Sequence, residues 1–169
     1  MIATLQSKRL SIAPLSASDL AFYVDLYSDA QTMACIGQPL STMAAERSFV
    51  VALRCNQMLT ARRQTWILSN PEGFKIGILA LIGGLADMRL ETAEVGAMII
   101  PAQQNRGYAA EAIATLAAHA FANLGVCRLV TRHSPANQLA NGLMCKLGFE
   151  RLPDGAGPQS TRWQLLGPQ

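Results

Sequence analysis

A chain of 169 residues, half of them apolar and only 15% charged, has enough material for a sizeable core and too little charge to stay disordered. Its net charge of +3 is mild, and the lysines and arginines are scattered, which argues against a nucleic-acid surface. No apolar run approaches the roughly 18 residues of a membrane helix, and "MIATLQSKRLSIAP" lacks a signal peptide's apolar stretch, so no membrane partner and a cytoplasmic location are expected.

In chain order, "RLSIAPL" predicts a short strand. "SASD" at 16–19 has capping-box spacing and opens a helix to about Tyr27. "LSTMAAERSFVVALRCNQ" predicts a second helix, with Met43, Arg47, Val50, Val51 and Arg54 on a mixed, partly exposed face. The period then changes. "RQTWILS" and "KIGILALIGGL" are strands around the turn "NPEGF". "TAEVGAMII" is a third strand, apolar enough to predict that both faces are covered, and Pro101 ends it. "AAEAIATLAAHAFANLG" is a helix with Ile113, Leu116, Ala117, Ala120 and Leu124 on one stripe and Gly125 as its stop. "VCRLVTRH" is a strand. "SPANQLANGLMCKLG" is a helix with Ser134 as N-cap and Gly148 at its end, and Gly142 sits unexplained in its middle. "FERL" and "STRWQLL" are closing strands. An antiparallel meander followed by βαβ predicts an α+β (mixed α/β) fold, one domain over 1–169, with a mixed central sheet flanked by helices.

The bare turn "QQNRGYAAEA" at 103–112 lies between a strand and a helix. The first turn of a helix offers unpaired N–H groups and the positive end of its dipole. Gly107 lets main chain approach a ligand, Ala109 and Ala110 keep the next positions low, and Gln104, Asn105 and Arg106 add donors or charge. A phosphate or diphosphate fits best. The lysine and hydroxyl of the ATP/GTP loop are absent, because Tyr108 follows Gly107, and so are the three glycines of the dinucleotide fingerprint. What remains is Q-x-x-G-x-A. The four cysteines, Cys35, Cys55, Cys127 and Cys145, are not spaced as zinc ligands, and His119 and His133 are the only histidines. No metal is expected, and the cysteines read as small buried hydrophobes.

Four stretches together resemble the GNAT superfamily of acetyl-CoA-dependent N-acetyltransferases, in particular its ribosomal-protein alanine N-acetyltransferase branch. They are "SKRLSIAPLSASDLAFYVDLYSDAQTMACIG", "AEVGAMIIP", "QNRGYAAEA" and "NQLANGLMCKLGFERL". The resemblance implies central strands that splay apart and hold acetyl-CoA as co-substrate. It implies that main chain of Gln104, Asn105, Arg106, Gly107, Tyr108, Ala109 and Ala110 grips the CoA diphosphate. Ala97, Met98 and Ile99 would pair with the pantetheine arm, Met98 would supply the amide that polarises the thioester carbonyl, and Asn137 would bond the cofactor. A homodimer is compatible with it.

Glu94, two residues before Gly96, is the candidate base, with burial expected to raise its pKa. Glu111 is expected to cap or pair rather than act on substrate. The branch's usual general-acid positions are Ala140 and Met144, neither of which can donate a proton. His133 is a lesser candidate for the cleft. Asp87 and Glu91 hint at a cationic acceptor. Two function classes follow: transfer of acetyl to a primary amine, on a small molecule or a protein N-terminus, or an acyl-CoA-binding module without catalysis. A nucleotide switch is disfavoured by the missing lysine and hydroxyl.

Overall fold

The computed structural model describes residues 2–34, 36–58, 63–83, 91–153 and 160–168. Its strands are β1 (Leu5–Gln6), β2 (Ser11–Pro14), β3 (Arg63–Ser69), β4 (Lys75–Gly83), β5 (Thr92–Ile99), β6 (Arg128–His133), β7 (Glu150–Arg151) and β8 (Thr161–Leu166). Its helices are α1 (Leu20–Ser28), α2 (Ala30–Met33), α3 (Thr42–Gln57), α4 (Tyr108–Asn123) and α5 (Gln138–Lys146). All eight strands form one sheet in the order β1-β2-β3-β4-β5-β6-β8-β7. Every pairing is antiparallel except β5 with β6, which α4 connects. The fold is therefore the mixed sheet flanked by helices that the element order predicts.

Both sheet faces are covered, by different helices. Alternation along β3 sends Trp66 and Leu68 to one side and Ile67 to the other. The first side packs with Leu79, Val95 and the α4 stripe Ile113, Leu116 and Ala120. The second packs with Ile78 beneath Tyr23 and Leu26 of α1 and Phe49 and Ala52 of α3. The apolar face of α3 is thus Ala45, Phe49 and Ala52, while Met43, Val50 and Val51 are exposed.

Three local expectations need correction. The helix α5 starts at Gln138, not at Pro135: Asn137 caps it by accepting from the Ala140 N–H at 3.0 Å, and Ser134 instead accepts from Ala136 N. Strand β5 is not covered on both faces: Ala93 and Val95 are buried, but Gly96 is exposed and Ala97 and Met98 are half-exposed. Among the described cysteines, Cys127 and Cys145 are exposed and Cys55 is half-exposed, so they are not core residues. Short β1 and α2 have no periodic signature and were not expected. Among the described residues no helix is long and apolar enough to cross a membrane.

Candidate active site

The site begins where β5 and β6 part. Their parallel ladder pairs only Thr92 with Arg128, Ala93 with Leu129 and Glu94 with Val130. Beyond Glu94, strand β5 continues to Ile99 with β4 on one side and, among the described residues, no strand on the other. The Met98 carbonyl faces β4, where a Cβ on Gly77 would collide with it. Main-chain groups alternate sides along a strand. Ala97 and Ile99 therefore present theirs to the open side, and the Ile99 carbonyl accepts from Gln104 Nε2 at 2.9 Å. The Met98 amide is turned into the sheet, so a donor facing the gap comes from its neighbours. Glycine inside a strand is the sequence signal of such close approach, and Gly77 carries it here.

At the end of this open edge the chain makes a short 3-10 turn, Pro101–Gln103, and enters α4. Gly107 is the N-cap with φ of 80°, and Asn105 also lies in the left-handed region, at φ 59°. Glycine adopts this conformation at no steric cost, and asparagine tolerates it. Successive turns of this kind aim N–H groups into one concavity, next to the positive end of a 16-residue helix.

The loop is held from behind. Glu111 Oε1 accepts from Ser7 Oγ and from Arg9 N–H, both at 2.7 Å, and Oε2 accepts from Arg9 Nε at 2.7 Å. Arg9 Nη1 donates to the Arg106 carbonyl at 3.0 Å, and its guanidinium lies 4.8 Å from the Tyr108 ring centroid. Burial pushes the Glu111 carboxyl up, but the bonds from Ser7 and Arg9 and the Arg9 charge outweigh it and leave it below its ordinary value. Glu111 therefore pairs, as its position suggested.

A cavity of about 370 Å3 joins these parts. It is walled by Ala97, Met98 and Ile99 of β5, by Gln104, Asn105, Gly107, Tyr108, Ala109 and Ala110 of the loop, and by Asn137 of α5. Of the expected cofactor contacts only Arg106 is not in this wall; its carbonyl is tied to Arg9. The opposite wall is α5, where Leu139, Gly142, Leu143 and Lys146 follow helical spacing. A Cβ built on Gly142 meets nothing within 4 Å, so this glycine keeps the wall low.

A second cavity, about 900 Å3, shares Ala97, Met98, Ala109, Asn137, Ala140 and Leu143 with the first and continues past the point where the strands part. Its floor is the sheet face carrying Ala80, Ile82, Glu94 and Gly96. Glu94 does not sit in apolar surroundings: its side chain is 29% exposed and takes two bonds from Arg132, Nη2 to Oε2 at 2.8 Å and Nε to Oε1 at 3.3 Å. The Arg132 guanidinium is pushed up by this bond and charge. His133 also lines the cavity; its Nδ1 lies 3.0 Å from the Ser134 carbonyl, and its Nε2 is buried without a partner among the described residues. Asp87 lies outside the described residues, and Glu91 is not in the cavity wall. No cluster of three or more metal-ligating side chains occurs among the described residues.

A family model described as "Acetyltransferase (GNAT) domain" matches residues 9–150. The chain belongs to this family. The GNAT domain is also similar in fold to solved structures. An acetyltransferase from Agrobacterium tumefaciens str. C58 has a TM-score of 0.81 at 24% identity, over 98% of this chain and 95% of that one. Spermidine N-acetyltransferase from Vibrio cholerae, solved in complex with CoA and spermine, has 0.77 at 20%, over 93% and 95%. The Salmonella typhimurium acetyl transferase that modifies the N-terminal serine of ribosomal protein L7/L12 has 0.77 at 13%, over 95% and 96%. No curated protein sequence matches the chain. The two cavities meet beside the stretch of β5 that has parted from β6, where both are lined by Ala97 and Met98.

Proposed function

We propose that this chain, acting as one domain over 1–169, transfers acetyl from acetyl-CoA to a primary amine by direct attack within a ternary complex. The observation that carries this reading is the unpaired edge of β5 over Val95–Ile99, running straight into the left-handed turn at Asn105–Gly107. A diphosphate would sit on the amides from Gln104 to Ala110. The pantetheine arm would run back along β5 as an added strand, pairing with Ala97 and Ile99 and displacing the Gln104 side chain from the Ile99 carbonyl. The Ala97 N–H, the farther of the two from the loop, would face the thioester carbonyl and stabilise the charge that develops there. Asn137 Oδ1 is used in capping α5, which leaves its amide N–H groups to face the cofactor.

The amine would enter from the larger cavity. Glu94 is the base we propose. Its carboxylate is held in place by Arg132, and it would take the proton through water. Most of the acceleration comes from holding amine and thioester together, worth up to about 7–11 kcal/mol in well-oriented systems. The fold neighbours that act on a protein N-terminus and on spermidine support an amine acceptor.

Thiol release from acetyl-CoA, measured with a panel of primary amines, tests this. Amine-dependent release that follows acetyl-CoA concentration is the expected result. Thermal stabilisation by CoA without release for any amine would instead identify a binding module, and no stabilisation by CoA would sink both readings.

A further inference from the structure

The larger cavity carries a charge that the transfer chemistry does not use. Arg63 opens β3 and is paired across the sheet with Ile82, which is paired with Glu94. These three therefore share one row on one face, and the Arg63 and Glu94 backbones lie about 10 Å apart across two strand spacings. Arg63 lines the cavity and is half-buried. Its Nε donates to Thr65 Oγ1 at 3.2 Å and its Nη2 lies 3.4 Å from the Tyr27 hydroxyl. Burial, then the neighbouring Tyr23, pushes the Tyr27 phenol up to about 12, so it stays neutral and cannot balance the guanidinium. Among the described residues no carboxylate pairs with Arg63. Its described partners, Thr65 and the hydroxyls of Tyr27 and Tyr23, are all neutral and leave part of the five-donor fork unfilled.

A half-buried guanidinium with no counter-ion among the described residues is costly unless something pairs with it. The other charges in the wall do not serve: among the described lining residues Glu94 is the only carboxylate, and both its oxygens are taken by Arg132. The same census disfavours a polyamine, which would need free carboxylates along its length. From this geometry we infer that the acceptor amine carries a carboxylate, which pairs with the Arg63 fork while the amine reaches the thioester. The inference rests on the transferase reading and names its acceptor class. A carboxylate matches the guanidinium bidentately, and Tyr27 Oη beside it can donate a third bond.

The test uses acceptors in matched pairs that differ only as carboxylate and neutral carboxamide. One set is small amino acids; the other is short peptides with an acidic or amidated side chain near the N-terminus. The carboxylate member should have kcat/KM at least about tenfold higher in one set, which identifies the source. Arg63→Gln should erase that preference by lowering the carboxylate value about tenfold or more, with the carboxamide value and the KM for acetyl-CoA within about twofold. Arg63→Lys, which keeps charge without the fork, should retain part of it. Equal rates for both members of every pair, or an Arg63→Gln loss shared equally by both, would overturn the inference. If no acceptor turns over, calorimetry on the CoA-loaded chain reads the same preference as binding, and an absent preference there overturns it too. Failure of turnover to depend on acetyl-CoA would count against the transferase reading instead.

Discussion

Glu111 and Arg9, 102 residues apart in sequence, are joined by two 2.7 Å bonds, one from the Arg9 main chain and one from its side chain. Together with Ser7 they fasten the β1–β2 hairpin to the first turn of α4. Arg9 also holds the Arg106 carbonyl, which fixes the peptide leading into Gly107. The pair thus sets the direction of the amides that would meet a diphosphate, without touching it. Glu111→Gln should raise the KM for acetyl-CoA about tenfold, since a bond to a charged group is worth roughly 1.5–3 kcal/mol, and leave kcat within about twofold. Acetyl-pantetheine, which has no diphosphate, should be used equally by both proteins. If its KM rises as much, the pair supports the fold in general and not the loop.

The same pair has a pH signature. The folded Glu111 carboxyl lies below its ordinary value, so its stabilisation is complete above about pH 4.5 and is lost as pH falls through the folded value. The stability difference between wild type and Glu111→Gln, measured by urea unfolding, should be constant from about pH 6 down to about pH 5 and shrink below that. A difference that grows in acid would have the wrong sign. Taking the difference cancels Asp19, whose carboxyl is also held low: burial raises it, and the bonds from Lys75 and Ser16 outweigh that.

Legibility followed range along the chain. The left-handed turn and helix start over 104–110 could be read because a bare main chain leaves a local trace: glycine, then alanines, at a strand-to-helix junction. The α4 stripe, the turn at 70–74 and the β5 boundary at Pro101 were local too. Arg9 with Glu111, Arg132 with Glu94, and Arg63 with Tyr27 are made by topology and have no local trace. The cap of α5 was misplaced because Ser134 and Asn137 are both good capping residues, and Pro135 favoured the wrong one. Glu94 looked buried because its strand is apolar; its ion pair with Arg132 of β6 leaves no local trace.

Gly107→Ala should cost about 1–2 kcal/mol in stability, the usual penalty for a side chain in the left-handed region. Its φ is 80°, and the new Cβ would lie 3.3 Å from Arg9 Nη2, tight enough to disturb the Arg9 contact with Arg106. Denaturant midpoints give the first effect. A rise in acetyl-CoA KM beyond that of Glu111→Gln would show that the turn itself meets the ligand.

Gly142 separates stability from function. It lies inside α5, where alanine is better by roughly 0.5–1 kcal/mol, and a Cβ there meets no atom within 4 Å. Gly142→Ala should therefore raise the melting temperature. Gly142→Leu should project into the smaller cavity and weaken CoA binding about tenfold or more. Unchanged CoA affinity in the leucine variant would place the cofactor elsewhere.

Ala140 tests whether the departing thiolate needs a proton. It lies in the first turn of α5, its N–H held by Asn137, and it lines both cavities. In the branch that this sequence resembles, the position often carries serine. A coenzyme thiol with pKa near 8.5 can leave as thiolate, at a cost that grows as pH falls below that value. Ala140→Ser should then raise kcat several-fold near neutral pH, with the gain fading above about pH 8.5. The other vacant position is a poor control. Met144 is 3% exposed, and a tyrosine forced in there would overpack the core at about 1–3 kcal/mol. A pH-independent gain in Ala140→Ser would point to positioning rather than proton donation. No gain at any pH would mean that thiolate departure is not limiting, leaving amine deprotonation near Glu94 or closure of the ternary complex to set the rate.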